Sequence, residues 1–181
     1  MNVPAKTADI FDRLSKGQFV SANSRDKEQE KLYNVIDAHF DTLKDYFGAI
    51  HFQLERGDEY FYFSRTDSRS SLEDKIERAY RYIDWLDFFK TFDPVFGAGF
   101  RFSPDQIAHR CKVDSELRTK LDALVLKGGA DNHLDKIRQL IRTLERESFF
   151  ELENELQETY LVLNAFDYLE QLIDRIDIAE V

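Results

Sequence analysis

His109, Cys111 and His133 are the side chains of this sequence that come closest to a set of soft metal ligands. A structural zinc site takes four such ligands at recognised spacings, and His-x-Cys without a fourth ligand is not one of them. Cys111 also stands where a helix is predicted to pack inward, which favours a core residue. We therefore expect neither a metal site nor a cofactor.

Carboxylates are abundant, but none forms a pair that is diagnostic of catalysis. Asp84 and Asp87 could meet in space, as could Glu151 and Glu153, and so could many other acids. The glycine pairs 97/99 and 128/129 do not follow strands, unlike those of a phosphate-binding loop. The serine-hydrolase and zinc-protease motifs are missing as well. The sequence predicts no catalytic residues and a protein that is not an enzyme.

A row of basic side chains lies on a helix predicted over residues 132–147. Three arginines recur there at every fourth position, which places them on one face. That face could follow the phosphates of duplex DNA, or it could be a solvated surface paired with Glu145 and Glu147. The candidate DNA contacts are Lys136, Arg138, Gln139, Arg142 and Arg146.

Aromatic residues are frequent, with 16 Phe and 8 Tyr in the chain. The run from Tyr60 to Phe63 puts rings on both faces of one strand, because side chains alternate across a strand. Either that strand is buried on both faces or one face binds a partner. The helical segment 80–92 is apolar on several sides. Its rings could belong to the core, lie between the two halves, or form a dimer interface, and the sequence leaves these alternatives open. The candidate partner-binding residues are Phe52, Tyr60, Tyr62, Tyr82, Trp85 and Phe89.

The charge of the chain is strongly acidic, with 35 Asp and Glu against 25 Lys and Arg, a net charge of −10. Such a surface repels nucleic acid over most of its area and allows only a local DNA contact. With one cysteine no intrachain disulfide forms, and neither a signal peptide nor a membrane-spanning apolar run is seen. We expect a cytoplasmic protein without a membrane contact.

Hydrophobic periodicity and turn residues divide the chain into elements that repeat in order. The first half is predicted to contain a helix at 8–14, a strand at 19–21, one long helix over about 25–47 and a hairpin of strands 50–54 and 60–63. The second half is predicted to contain helices at 72–92, 103–111, 114–126 and 132–147, a strand at 100–102, a hairpin of strands 149–152 and 159–163, and a last helix at 165–178.

Several helix starts have recognisable caps, namely Ser70 or Ser71, Ser103 followed by Pro104, Asp114 or Ser115, and Asn132. The polar stretch 64–71 is the predicted linker. On the helix at 72–92, the predicted buried face consists of Ile76, Ala79, Tyr80, Ile83, Leu86 and Phe89.

Helices followed by a two-stranded ribbon describe a winged helix, and two of them in tandem fit the length of the chain. The expected fold is mainly α with small β-hairpins, an α+β class, as tandem winged-helix domains at residues 1–66 and 67–181. The first half matches less well, since it shows two helices ahead of its hairpin where three are usual.

The layout and several stretches resemble the KITE proteins, the tandem winged-helix subunits of bacterial SMC complexes, and among them the MukE/MksE type. The resemblance covers about residues 8–178. It rests on Ile10 to Ser21, on Leu32 to Phe47 leading into Ile50 to Phe63, and on Phe100 to His109 followed by Leu134 to Leu163.

The resemblance implies a non-enzymatic accessory subunit of a condensin-like SMC complex that dimerises and binds a kleisin subunit, which bridges the ATPase heads. It implies a nucleoid-associated role in chromosome organisation or in plasmid defence, with contact to double-stranded DNA in some members. A winged-helix transcriptional regulator is the alternative, although the acidic charge and the lack of a ligand domain count against it. An enzyme with carboxylate chemistry is a third hypothesis.

Overall fold

The structure, a computed structural model, describes residues 3–64, 69–126 and 128–172, with only the backbone described for 69–75. Its helices are Thr7–Ser15 (α1), Lys27–Ala38 (α2), Phe40–Gly48 (α3), Arg69–Phe92 (α4), Pro104–Val113 (α5), Ser115–Ala123 (α6) and His133–Arg146 (α7). A 3-10 turn at Asn164–Phe166 leads into a helix whose described part covers residues 167–172 (α8). The strands are Val20–Ser21 (β1), Gln53–Arg56 (β2), Tyr60–Ser64 (β3), Arg101–Phe102 (β4), Phe150–Asn154 (β5) and Thr159–Val162 (β6).

The long helix predicted over 25–47 is two helices, so this prediction was wrong. The backbone of His39 leaves helical geometry at φ −128° and ψ 27°, which separates α2 from α3. Leu32 and Ile36 of α2 nevertheless share a core with Leu43 and Phe47 of α3. The first half therefore has three helices ahead of its hairpin.

Each half contains one small antiparallel sheet in which the third strand lies in the centre. The order is β1-β3-β2 in the first half and β4-β6-β5 in the second. Val20 pairs with Phe61 in the first sheet, and Arg101 pairs with Leu161 in the second. Helices with small sheets confirm the predicted α+β class, and both predicted hairpins are present.

Three helices begin at the capping residues that the sequence predicts for them. Ser103 accepts from the backbone N–H of Gln106 while the Gln106 side chain accepts from the Ser103 N–H, a complete capping box. Asp114 and Asn132 cap α6 and α7 by accepting from the backbone N–H groups of Leu117 and Asp135. Helix α4, in contrast, begins at Arg69, ahead of the predicted cap at Ser70 or Ser71.

The buried face of α4 also differs from the prediction. Tyr82, Trp85, Leu86, Phe88 and Phe89 are the side chains of this helix that enter the core. Two residues of the predicted face are exposed, Ile76 by 48% and Tyr80 by 64%. Leu86 and Phe89 are buried as predicted, so the prediction is wrong for Ile76 and Tyr80, because helical spacing alone does not show which part of an apolar surface tertiary packing covers.

Two predictions fall partly outside the described residues. The proposed domain boundary between residues 66 and 67 lies there, as does the end of the predicted helix 165–178. The start of that helix is shifted, because residues 164–166 form a 3-10 turn. Among the residues that the structure describes, no helix is both long and apolar enough to cross a bilayer.

Candidate nucleic-acid and partner surfaces

Helix α7 separates its apolar and basic side chains onto opposite faces. Ile137, Leu140, Ile141 and Leu144 are buried in the core of the second half. Arg142 and Arg146 lie on the exposed side. The Arg146 guanidinium donates to the Arg142 carbonyl at 3.2 Å and to the Thr143 hydroxyl at 3.3 Å. Arg146 places positive charge at the last turn of α7, where the helix dipole favours cations, and Arg142 lies one turn before it.

Arg138 differs from these two because it is held in an ion pair. Its Nε and Nη2 donate to the two carboxylate oxygens of Glu158 at 2.9 Å and 2.7 Å. This pairing raises the pKa of Arg138. Glu158 belongs to the turn of the β5–β6 hairpin, so the pair fixes the hairpin to α7 and offsets the charge of Arg138.

The other two candidates on α7 also make contacts within the chain. The Lys136 ammonium donates to the carbonyl of Asp122 at 2.9 Å. The backbone carbonyl of Gln139 accepts from the Thr143 hydroxyl at 2.9 Å. Of the five candidate DNA contacts, Arg142 and Arg146 present the most accessible charge, and their role in DNA binding remains a prediction.

Glu145 and Glu147, the predicted partners of the arginines, face elsewhere. The Tyr82 hydroxyl of α4 donates to the Glu147 carboxylate. Burial first and the neighbouring Glu147 second raise the pKa of Tyr82, so the phenol stays protonated as a donor. Burial likewise raises the pKa of Glu145. Glu158, rather than either of these two acids, is the carboxylate that pairs with Arg138 of α7, and both the DNA-contact and the solvated-face interpretations stay predictions.

A polar contact, which we call the junction, joins residues 13–25 of the first half to residues 146–165 of the second. Asn23 bonds the second half twice, donating to the Val162 carbonyl at 3.1 Å and accepting from the Asn164 N–H at 2.9 Å. The buried hydroxyl of Ser21 accepts from the Ala165 N–H at 3.1 Å. Because these bonds satisfy backbone groups across the boundary, they fix one half against the other.

Glu151 of β5 adds charge to the same junction. Its carboxylate accepts from the Ser24 hydroxyl and, at 2.6 Å, from the backbone N–H of Arg25. Nearby, Arg13 donates to the Ser148 hydroxyl at 3.3 Å. Burial lowers the pKa of the Arg13 guanidinium. Sequence reasoning missed the junction, since its residues are short polar side chains with no periodic signal.

Aromatic rings fill the space beside the junction. Phe19 of the first half lies 5.0 Å from Phe149 and 5.2 Å from Tyr168, measured between ring centroids. Tyr62 lies 5.1 Å from Tyr168. On the other side of the same strand, Phe61 belongs to the core of the first half. Strand β3 is therefore covered on both faces, which favours the core alternative for its aromatic run.

The candidate partner-binding residues mostly contribute to this core. Tyr60, Tyr82, Trp85 and Phe89 are buried, and Phe52 and Tyr62 are half-buried. Tyr60 joins the large cluster of the second half although it belongs to the first. Their packing within the chain accounts for the aromatic surplus, and partner binding through these residues stays a prediction.

The soft side chains give no sign of a metal centre. Cys111 is buried in the core, as predicted, and burial raises the pKa of its thiol to about 11. His133 bonds the carboxylate of Asp122 at 2.8 Å. Across the part of the chain that the structure describes, no three His, Cys, Asp or Glu side chains are grouped to hold an ion.

A protein-family model described as condensin complex protein MksE matches residues 5–173, which include both halves and the junction. The chain is thus a condensin-complex subunit, the class that the resemblance in sequence implied. It belongs to the MksE family, whose members are accessory subunits of condensin and are not known as enzymes. No match is found among curated proteins.

Proposed function

We propose that this chain is a non-enzymatic accessory subunit of a bacterial SMC condensin-like complex and binds its kleisin subunit. The family match over residues 5–173 carries the proposal, because it spans both halves rather than one shared module. The junction supports it as well, since a rigid two-part body suits a subunit that holds other chains in a fixed arrangement.

Each half, in this proposal, is a winged-helix domain, with residues 1–66 in the first and 67–181 in the second. The support is topological: each half runs helix, strand, helices and hairpin, and both sheets have the same strand order. The repeated order is what duplication of a winged-helix unit would produce.

In this proposal the chain forms a homodimer. It lies beside the SMC ATPase on the nucleoid, in the cytoplasm. Apolar side chains that the chain leaves exposed, such as Tyr80 and Val125, support a protein that contacts other chains. The complex would act in chromosome organisation or in plasmid defence.

Co-expression with the kleisin and SMC proteins of the same genome tests this proposal, with size-exclusion chromatography and light scattering as the readout. The chain alone should elute with the mass of a dimer, and the kleisin should co-elute with it in a defined ratio. A chain that stays monomeric and never co-elutes with the kleisin would contradict the proposal.

Contact with double-stranded DNA is the second part, supported by the exposed Arg142 and Arg146 in a chain that is otherwise acidic. We expect weak, salt-sensitive binding without sequence preference, because two arginines reach few phosphates. The alternative of a transcriptional regulator predicts a preferred sequence. Selection from a random duplex library distinguishes them, since an enriched motif would favour the regulator.

A further inference from the structure

The basic face of α7 contains a third arginine whose charge is covered within the chain. Arg138, Arg142 and Arg146 recur at every fourth position, so they share one side of the helix, about 6 Å apart along its axis. Arg142 and Arg146 are exposed, whereas the Arg138 side chain is 31% exposed and lies against Glu158. The row would offer duplex DNA three cations once Glu158 moved away.

The Glu158 carboxylate meets Arg138 in the manner of a phosphate group. The Arg138 Nε and Nη2 donate to its two oxygens at 2.9 Å and 2.7 Å, one bond to each. A guanidinium binds two phosphate oxygens through the same parallel pair of bonds. The carboxylate therefore occupies the donors that a DNA phosphate would use.

The ion pair is exposed enough for DNA to compete with it. The Glu158 side chain is 32% exposed, and a pair at this depth is weak because water and salt screen it. Asp105 and Asp135 also act on the Arg138 charge, but less than Glu158 does. Glu158 is thus the carboxylate that decides whether the Arg138 charge is available.

The turn that carries Glu158 keeps its shape through local bonds. The Gln157 N–H donates to the Asn154 side chain at 3.1 Å. The Glu158 N–H donates to the Glu155 carbonyl at 3.4 Å. The Glu158 backbone is left-handed at φ 48°, where Gly and Asn are favoured, so the backbone does not explain a glutamate at this position. Because the bonds of the turn are local, the side chain can leave Arg138 while the hairpin stays paired.

We propose that Glu158 is an autoinhibitory group, which masks Arg138 in the free chain and is displaced by a phosphate of duplex DNA. The inference rests on the DNA contact in the second part of the proposed function. When DNA binds, Arg138 exchanges one bidentate partner for another and becomes the third phosphate contact of the row. Breaking the internal pair lowers the affinity of the chain for DNA.

Glu158→Gln tests the proposal, because the amide keeps the shape of the side chain and removes its charge. Binding of a fluorescent duplex is measured by anisotropy at low salt. The variant should bind about threefold more tightly than the wild-type chain, which matches the loss of an exposed ion pair. Glu155→Gln removes an equal charge from an exposed position of the same turn and should change the affinity much less.

The same substitution in an Arg138→Gln background separates masking from net charge. Without Arg138 the gain from Glu158→Gln should disappear, since no masked cation is left to release. A gain that persists without Arg138, or an equal gain from Glu155→Gln, would overturn the proposal. Far-UV circular dichroism and thermal midpoints check that the variants fold.

Displacement of Glu158 is also visible in the wild-type chain, independently of any change in affinity. The Nε–H resonance of Arg138, assigned by its loss in the Arg138→Gln variant, is followed by heteronuclear NMR. Saturating duplex should shift this resonance, because the acceptor of the Nε–H changes from carboxylate to phosphate. A resonance that stays in place while duplex binds would show that the ion pair remains closed, and the proposal would fail.

Failure of this inference is distinguishable from failure of the DNA contact. Wild-type binding that Arg142→Gln with Arg146→Gln weakens, and that Glu158→Gln leaves unchanged, overturns the masking and keeps the DNA contact. Duplex binding by the Glu158→Gln variant alone supports both. If neither the wild-type chain nor this variant binds the duplex, the DNA contact fails and the inference fails with it.

Discussion

Helix α3 with the β2–β3 hairpin and helix α7 with the β5–β6 hairpin occupy equivalent places in the two halves, yet their surfaces differ in charge. Helix α3 exposes Asp41, Lys44 and Asp45, two acids against one base. Helix α7 exposes Arg142 and Arg146. Both helices bury leucines on the opposite side. The comparison teaches that the core preserves the topology while the surface is free to change charge, because exposed residues contribute little to packing.

The two hairpins also differ in the side chains that they leave exposed to solvent. Arg56, the last residue of β2, lies over the rings of Phe40 and Phe61, at 4.6 Å and 5.1 Å, and pairs with Asp37 at 3.0 Å. The guanidinium of Arg56 is thus paired with residues of the first half itself. The second turn places a fully exposed Leu156 at its tip.

The largest expected effect comes from creating a cavity in each of the two equivalent cores. Leu43→Ala in α3 and Leu144→Ala in α7 each remove a fully buried side chain, and each should lower the free energy of unfolding by about 2–5 kcal/mol. Urea denaturation is followed by circular dichroism for the whole chain and by fluorescence of the single tryptophan, Trp85, for the second half.

Because the junction joins the halves, Leu43→Ala should shift the fluorescence midpoint together with the dichroism midpoint. A fluorescence midpoint that stays in place would show that the halves unfold independently. The comparison would then concern two separate domains rather than two parts of one body.

Asn23→Ala tests the junction itself and should cost about 1–3 kcal/mol, since the Asn164 N–H loses its acceptor and the Val162 carbonyl keeps only the Gly99 N–H as a donor. The expected result in the same urea experiment is a lower midpoint and a broader transition as the halves uncouple. Asn34→Ala, an exposed change on α2, is the control and should leave the midpoint in place. Equal midpoints for both variants would contradict a structural role for the junction.

The difference in charge between α3 and α7 predicts a difference in DNA affinity. Arg142→Gln with Arg146→Gln should reduce binding of a fluorescent duplex at low salt by about tenfold, because two phosphate contacts are lost. Lys27→Gln with Lys31→Gln on α2 changes the net charge equally and should have little effect. An equal loss in the two variants would point to overall charge instead of the α7 face.

The smallest effect is expected at the ion pair between α7 and its hairpin. Arg138→Ala should cost about 0.2–1 kcal/mol, since the Arg138 and Glu158 side chains are 31% and 32% exposed. A double-mutant cycle with Glu158→Gln measures the coupling, which should shrink in high salt. Zero coupling would leave Arg138 as a free cation and return it to the DNA-binding candidates beside Arg142.

Local signals in the sequence predicted most of the elements and several of their ends. Ser103, Asp114 and Asn132 cap helices because their side chains bond N–H groups two or three residues away, an interaction that the sequence alone contains. The alternation of apolar residues located both hairpins. The break at His39 gave no such signal, since the apolar spacing continues through it into α3.

The candidate sites depended on contacts between residues far apart in the chain. The partner of Arg138 proved to be Glu158, twenty residues away, rather than the neighbouring Glu145 or Glu147. The sequence by itself determined most of the elements, the acidic balance and the resemblance to the MukE/MksE type. Only the tertiary structure decided that Tyr82 faces inward while Tyr80 faces solvent, because spacing places a residue on a helix but packing selects which face is buried.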